Sequence, residues 1–130
     1  MSLTFDTSIL IAIERGDINI KNKLEDIYRI NPGPPQLLFI PYFEFLLGIK
    51  LRKPKRSKEI LNFLDKFNLL TITKNTAGIL ADLKIKYDDE GKSLPLADLL
   101  IASQAIENHL TLITLDKDFE KIEELQKIVL

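Results

Sequence analysis

The chain has no cysteine and no tryptophan, and only one histidine among its 130 residues. Without cysteine there is no disulfide framework, no thiolate metal site and no thiol nucleophile. That absence suits a reducing compartment. A single imidazole excludes chemistry that needs two and disfavours a histidine-based zinc centre. Charge of one sign is lacking as well: 18 basic residues face 19 acidic ones. Any footprint for nucleic acid must therefore be local rather than global. No run approaches the roughly 18 apolar residues of a membrane span, and the N-terminus lacks the basic segment and apolar stretch of a signal peptide. The expectation is a cytoplasmic protein with no membrane partner. Valine occurs once, against 23 Leu and 18 Ile, a composition that suits a thermophile and an AT-rich genome equally.

What is present is a core. The length corresponds to one domain, expected over residues 1–130, and 45% of the residues are hydrophobic, enough to bury roughly two-thirds of the unfolded surface. Short apolar runs alternate with longer stretches of helical spacing, the pattern of βαβ units around a parallel sheet. Strands are expected at Leu3–Asp6, Gln36–Ile40, Leu69–Ile72 and Leu110–Thr114, with Lys127–Leu130 as an edge strand. Helices are expected from Thr7 or Ser8, as cap, to Arg15, over Ile18–Ile30, from Pro41 to Leu51, from Pro54 through Phe67, from a Thr73 or Asn75 cap to Tyr87, from Pro95 to Asn108, and over Phe119–Leu125. Asn31-Pro-Gly-Pro-Pro breaks the chain between the second helix and the second strand. The fold class is thus α/β, with three layers and a central parallel sheet of four or five strands.

Most of the carboxylates sit among polar neighbours. Four do not. Asp6 closes Leu-Thr-Phe, Glu44 lies within Tyr-Phe-Glu-Phe-Leu-Leu, Asp98 within Leu-Ala-Asp-Leu-Leu-Ile-Ala, and Asp116 follows Leu-Ile-Thr-Leu. Asp and Glu are rarely buried without partners. On the expected fold, Asp6 and Asp116 lie at the C-terminal ends of strands, and Glu44 and Asp98 in the first turns of helices. These positions can meet at the sheet edge where open α/β folds bind ligands. Two carboxylates about 4 Å apart repel by roughly 4 kcal/mol at an effective dielectric near 20, more than a helix N-terminus relieves at about 0.3–1 kcal/mol. Protonation or a cation must settle the difference. An all-oxygen donor set favours Mg²⁺ or Mn²⁺, and such an ion suits phosphodiester hydrolysis. Plainer roles exist for each residue: Asp6 before Thr-Ser suits a helix cap, Glu44 a solvated helix face, and Asp98 a helix-dipole partner. Ser8 and Thr114 can support the acids through their hydroxyls or simply cap helices. Asp118 can share the role of Asp116 or cap the short helix beside Phe119. The Tyr and Phe residues fall at core spacings.

A second feature is the basic run Lys50, Arg52, Lys53, Lys55, Arg56 and Lys58, six cations with no acid between them. It is a candidate RNA-backbone contact as well as a candidate solvated connection. It begins six residues after Glu44 and so can flank the acidic pocket.

The segments Phe5-Asp6-Thr7-Ser8-Ile9-Leu10, Ile40-Pro41-Tyr42-Phe43-Glu44-Phe45-Leu46-Leu47-Gly48, Leu96-Ala97-Asp98-Leu99-Leu100-Ile101-Ala102 and Leu112-Ile113-Thr114-Leu115-Asp116-Lys117-Asp118-Phe119 resemble, in this order and spacing, the PIN-domain ribonucleases. The resemblance is strongest to the VapC-like toxins of prokaryotic toxin–antitoxin pairs and covers nearly the whole chain. It implies Mg²⁺- or Mn²⁺-dependent RNA cleavage. Asp6, Glu44, Asp98 and Asp116 occupy the catalytic acid positions, and Asp6, Asp98 and Asp116 are the expected metal ligands. It further implies a homodimer and a small inhibitory antitoxin. Phe45 departs from the smaller or aliphatic residue that often follows the second acid. Two other readings keep the fold: an RNA-processing nuclease without a toxin role, disfavoured by the lack of a zinc ribbon, and a non-catalytic interaction module. A phospho-acceptor receiver would need paired acids after the first strand, and a haloacid-dehalogenase-type phosphatase would need an acid where Ser8 stands.

Overall fold

The computed structural model describes residues 2–130. Five strands form one sheet: β1 (Ser2–Phe5), β2 (Gln36–Leu37), β3 (Asn68–Leu69), β4 (Leu110–Thr114) and β5 (Lys127–Val129). They run in the order β3-β2-β1-β4-β5 and all pair in parallel. Six α-helices lie between them: α1 (Thr7–Glu14), α2 (Ile18–Ile30), α3 (Phe39–Arg52), α4 (Ser57–Asp65), α5 (Lys74–Asp89) and α6 (Leu96–Glu107). A 3₁₀ turn spans Lys117–Lys121.

The sheet separates two cores, and the two-residue period of a strand decides which side each residue joins. On one face Leu3, Phe5, Leu37 and Ile113 pack against α1, α2, α3 and α4. On the other, Leu110 and Leu112 pack against α5, α6 and Phe119. Neighbours Leu112 and Ile113 are both fully buried, in opposite cores. This is the expected three-layer arrangement, with β5 at the edge as anticipated. Phe45 projects from α3 into the first core at 1% exposure. Phe45→Ala is expected to cost about 3–5 kcal/mol, read as a lower urea midpoint at unchanged slope. Ile85→Ala, at a 62% exposed position, should stay within about 0.5 kcal/mol of wild type.

Several boundaries differ from the sequence expectation, each for a local reason. Neither Thr7 nor Ser8 caps α1; Asp6 does, its side chain accepting from the Ile9 N–H. The second strand ends at Leu37 rather than Ile40, because Gln104 of α6 accepts the Phe39 N–H and helps turn the chain into α3 two residues before Pro41. Pro41 then falls within the first turn, where no helical N–H is missed, and Glu44 moves to the second turn. The third strand is Asn68–Leu69, not Leu69–Ile72. After Leu70 donates to the Leu37 carbonyl, the chain leaves the sheet for the Thr73 capping box. The fourth helix begins at Ser57 rather than Pro54, since Pro54–Arg56 forms a turn closed by the Ser57 N–H on the Pro54 carbonyl. The last helix is the shorter Lys117–Lys121 turn, started by Asp116 accepting from the Asp118 N–H.

Candidate active site

The parallel order brings the C-terminal ends of β1 and β4 side by side, with Phe5 paired to Ile113. Asp6 follows β1 directly, and Asp116 follows β4 after one intervening residue, Leu115. The Asp6 N–H donates to the Ile113 carbonyl at 3.2 Å, so the ladder continues to the acid itself. Asp6 is 5% exposed. Its carboxylate accepts from the hydroxyls of Ser8 and Thr114 and from the Ile9 N–H. Those hydroxyls accept in turn: Ser8 Oγ takes the Leu115 N–H at 3.1 Å, and Thr114 Oγ1 the Asp116 N–H at 2.9 Å. Ser8 and Thr114 thus tie the start of α1 to the loop after β4 and fix where Asp116 leaves the strand.

Glu44 is exposed on α3, and Thr7 Oγ1 of α1 donates to it at 2.9 Å. Asp98 lies in the first turn of α6 and is partly buried. Asp116 and Asp118 are exposed beside it. Burial is the first cause that pushes the Asp98 carboxyl up to about 6, and the negative charges of Asp116, Asp118, Glu44 and Asp6 push it in the same direction. Asp6 is also raised, by burial, against the lowering effect of its hydroxyl and N–H donors. The four acids singled out in the sequence therefore share one electrostatic neighbourhood, and Asp118 belongs to it too. Among the described residues, no Lys, Arg or His pairs with Asp6, Glu44, Asp98 or Asp116; Asp118 alone has a partner, Lys121 at 3.3 Å.

The donor chemistry fits a hard divalent cation: oxygen ligands only, crowded charge and no internal cation. Among the described residues no three carboxylates already converge as an ion-holding group.

The basic run stands elsewhere. Lys50 and Arg52 occupy the last turn of α3, and Lys53 ends it in the left-handed conformation at φ 48°. Lys55 and Arg56 line a cavity of about 410 Å³ with Glu14, at the C-terminal end of α1, and Glu59 of α4. Both α1 and α3 start at the acidic edge and run away from it. From Glu44 to Arg52 the helix rises by about 12 Å. The run therefore starts about 9 Å along α3 from Glu44, toward the far end of that helix. Thr7, Phe39 and Phe43 depart from what the sequence suggested. Thr7 holds Glu44, and its only signal was its place between the acid and the apolar helix. Phe39 and Phe43 are not core residues but 43% and 47% exposed.

A five-stranded parallel sheet with a carboxylate cluster at the C-terminal ends of its central strands is the architecture of the PIN domain, whose family profile matches residues 3–125. The chain belongs to the PIN-domain family. It is 34% identical over 134 residues to Ribonuclease VapC of Rickettsia bellii, across 97% of this chain and 94% of that protein. Among solved structures it is similar to a toxin–antitoxin complex from Klebsiella pneumoniae, with TM-score 0.76 and 29% identity over 95% of each chain. It also shares its fold with VapBC2 of Rickettsia felis bound to a promoter DNA fragment, with TM-score 0.81 and 24% identity over 100% of this chain and 99% of that one. No helix among the described residues is long and apolar enough to cross a membrane.

Proposed function

We propose that the protein is a divalent-metal-dependent endoribonuclease that acts as the toxin of a cytoplasmic toxin–antitoxin pair, as one domain over residues 1–130, with RNA as substrate and a small antitoxin as protein partner. The observation that carries this reading is the Asp6–Glu44–Asp98–Asp116 neighbourhood, a set of crowded oxygen donors with no cation of their own. The names of the relatives support the substrate and the partner.

In this reading Asp6, Asp98 and Asp116 hold Mg²⁺ or Mn²⁺, directly or through water. When bound, the ion supplies the positive charge that polarises a phosphoryl oxygen and makes a water acidic enough to lose its proton near neutral pH. The chain's own residues do the rest. Asp6, locked by three donors, fixes the cluster's position. Thr7 orients Glu44, whose carboxylate takes the proton from the attacking water. Burial and its acidic neighbours raise the Asp98 carboxyl to about 6, and it must be ionised to bind a cation, so at limiting metal cleavage is expected to rise with pH through about 6.

The test is RNA cleavage in EDTA, Mg²⁺ and Mn²⁺ across four amide variants. EDTA is expected to stop cleavage and either ion to restore it. Asp6→Asn, Asp98→Asn and Asp116→Asn should each lower the rate by about a hundredfold or more, since a lost ion contact is worth several kcal/mol and each 1.4 kcal/mol is tenfold. Glu44→Gln should lose about as much while still binding Mn²⁺. A rate for Asp6→Asn equal to wild type sinks the reading.

A further inference from the structure

α1, α2, α5 and the 3₁₀ turn each begin with a side-chain cap, from Asp6, Asp17, Thr73 and Asp116. α3, α4 and α6 have none of their own. In α3, the helix that carries Glu44, Leu38 stands at the N-cap and no acid lies in the first turn. Its first donor, the Phe39 N–H, is taken instead by Gln104 Oε1 of α6 at 3.1 Å. The same amide donates through Nε2 to the Leu70 carbonyl at 3.0 Å, where the chain leaves β3. Gln104 is 1% exposed, and Ala102 and Ala105 beside it are fully buried. A primary amide in such surroundings is costly unless it is paired, and here the pairing reaches two other parts of the fold. α3 therefore takes its cap from the helix that holds Asp98, six residues before Gln104 and about 9 Å along the axis.

We propose that Gln104 is a positioning residue for Glu44: through the Phe39 N–H it sets the start of α3 against α6, and with it the place of the Glu44 carboxylate in the acidic cluster. This rests on the ribonuclease reading, in which Glu44 takes the proton from the attacking water. Thr7 Oγ1 holds the carboxylate itself at 2.9 Å, and Gln104 holds the helix that presents it. Glu44 lies five residues beyond Phe39, about 8 Å along the axis, so a shift at the start of α3 is carried to the acid. Phe45 and Ile49 bury one face of α3 in the first core. That packing decides which face points inward, but apolar contact is non-directional, and the position of the helix along its own axis falls to the directional bond at its start. Asp6, Asp98 and Asp116 stand on β1, α6 and the loop after β4, none of them on α3. Loss of the Gln104 bond therefore displaces the base and spares the residues that hold the ion.

Two variants cut the same bond from opposite ends. Gln104→Met keeps the length of the side chain and removes its polar atoms. Phe39→Pro removes only the N–H, at the first helical position, where proline is favoured, and after a Leu38 already in the extended conformation proline requires. Each is expected to lower kcat for RNA about tenfold, since a displacement on the order of 1 Å can cost about a hundredfold. KM for RNA, and the Mn²⁺ affinity read by electron paramagnetic resonance, should stay near wild type. Phe39→Ala keeps the N–H and should cleave faster than Phe39→Pro by nearly that full factor. The double variant should be no slower than Gln104→Met alone, and Gln104→Met should add almost nothing to the loss in a Glu44→Gln background, because changes that act through one group do not add. Should Gln104→Met fail to fold, Phe39→Pro against Phe39→Ala, each with and without Glu44→Gln, carries the same comparison. Losses that multiply in the Glu44→Gln background overturn the role. So does a Mn²⁺ affinity that falls in step with kcat, or Phe39→Pro cleaving like Phe39→Ala. A wild type that cleaves no RNA with either ion removes the ribonuclease reading and this role with it, an outcome distinct from an active wild type whose losses multiply.

Discussion

Asp98→Asn is expected to melt several degrees above wild type in EDTA at pH 8, although it should destroy RNA cleavage. The sign follows from the carboxyl's position. Burial first, then the charges of Asp116, Asp118, Glu44 and Asp6, lift it from 3.8 to about 6. A carboxyl raised in the folded state binds its proton more tightly there than in the unfolded chain. Below about pH 4 it is protonated in both states and exacts nothing. Between about 4 and 6 the folded state must either keep the proton or bear the repulsion, and stability falls. Above 6 the penalty is complete. Two pH units correspond to about 3 kcal/mol; with solvent screening at a partly exposed group, about 1–2 kcal/mol is the working figure. For a chain of this size that is roughly 3–10 °C in melting temperature. The amide carries no charge and removes the share of the pH slope between 4 and 6 that Asp98 contributes, leaving that of the buried Asp6. Mg²⁺ or Mn²⁺ should lift the wild type toward the same temperature, because a ligand that binds only the folded state stabilises it, and should lift Asp98→Asn much less. Thermal melts at pH 4, 6 and 8, with and without Mn²⁺, check all of this. An Asp98→Asn protein that melts below wild type at pH 8 would mean that Asp98 is held by attraction rather than crowding.

The same electrostatics explain why the acidic site was legible in the sequence. A carboxylate inside an apolar run is a local signal, and Asp6, Glu44, Asp98 and Asp116 each carry it without reference to the rest of the chain. Their assembly needed only the order of strands and helices, and the elements that set that order have strong local signals. α2 has a capping Asp17, an amphipathic period and a stop at Asn31-Pro, and its ends fall where the spacing puts them. β4 is a five-residue buried run of Leu, Ile and Thr between a left-handed His109 and the polar loop at Asp116.

The weaker boundaries depend on partners far away in sequence. β2 has only two residues because Gln104, 65 positions later, captures the Phe39 N–H and the Leu70 carbonyl. No window around residue 38 contains that information. α3 shows a related difficulty. It is apolar on two faces, so periodicity identifies a helix without saying which face goes inward. Only the packing of Phe45 and Ile49 against α1 and the sheet decides it, leaving Phe39 and Phe43 outside. The basic run illustrates how little spacing says along a helix. Six residues is close in sequence, but on a straight helix it is about 9 Å of separation in a fixed direction.

Thr114→Val is expected to damage the protein more than its near-identical shape suggests. Thr114 is fully buried at the end of β4. Its hydroxyl donates to the Asp6 carboxylate and accepts the Asp116 N–H at 2.9 Å. Valine fills the same volume and does neither. Asp6, itself 5% exposed, would keep only Ser8 and the Ile9 N–H, and a buried charged acceptor that loses a donor costs about 1–3 kcal/mol. The lost donor also lowers the Asp6 carboxyl in the wild type, so its removal raises that carboxyl further. Protonation then relieves the variant at low pH, and the loss relative to wild type should be larger at pH 8 than at pH 5. Ser8→Ala, at a half-buried position where water can take the hydroxyl's place, should lose less. Cleavage by Thr114→Val should fall by about tenfold or more if Asp116 swings free, as 1.4 kcal/mol of lost positioning implies, and Thr114→Ser should restore both stability and rate. Urea titrations at the two pH values, paired with rates, separate these effects. An equal loss at pH 5 and pH 8 would show that Thr114 serves only packing, because a methyl-for-hydroxyl misfit carries no proton dependence.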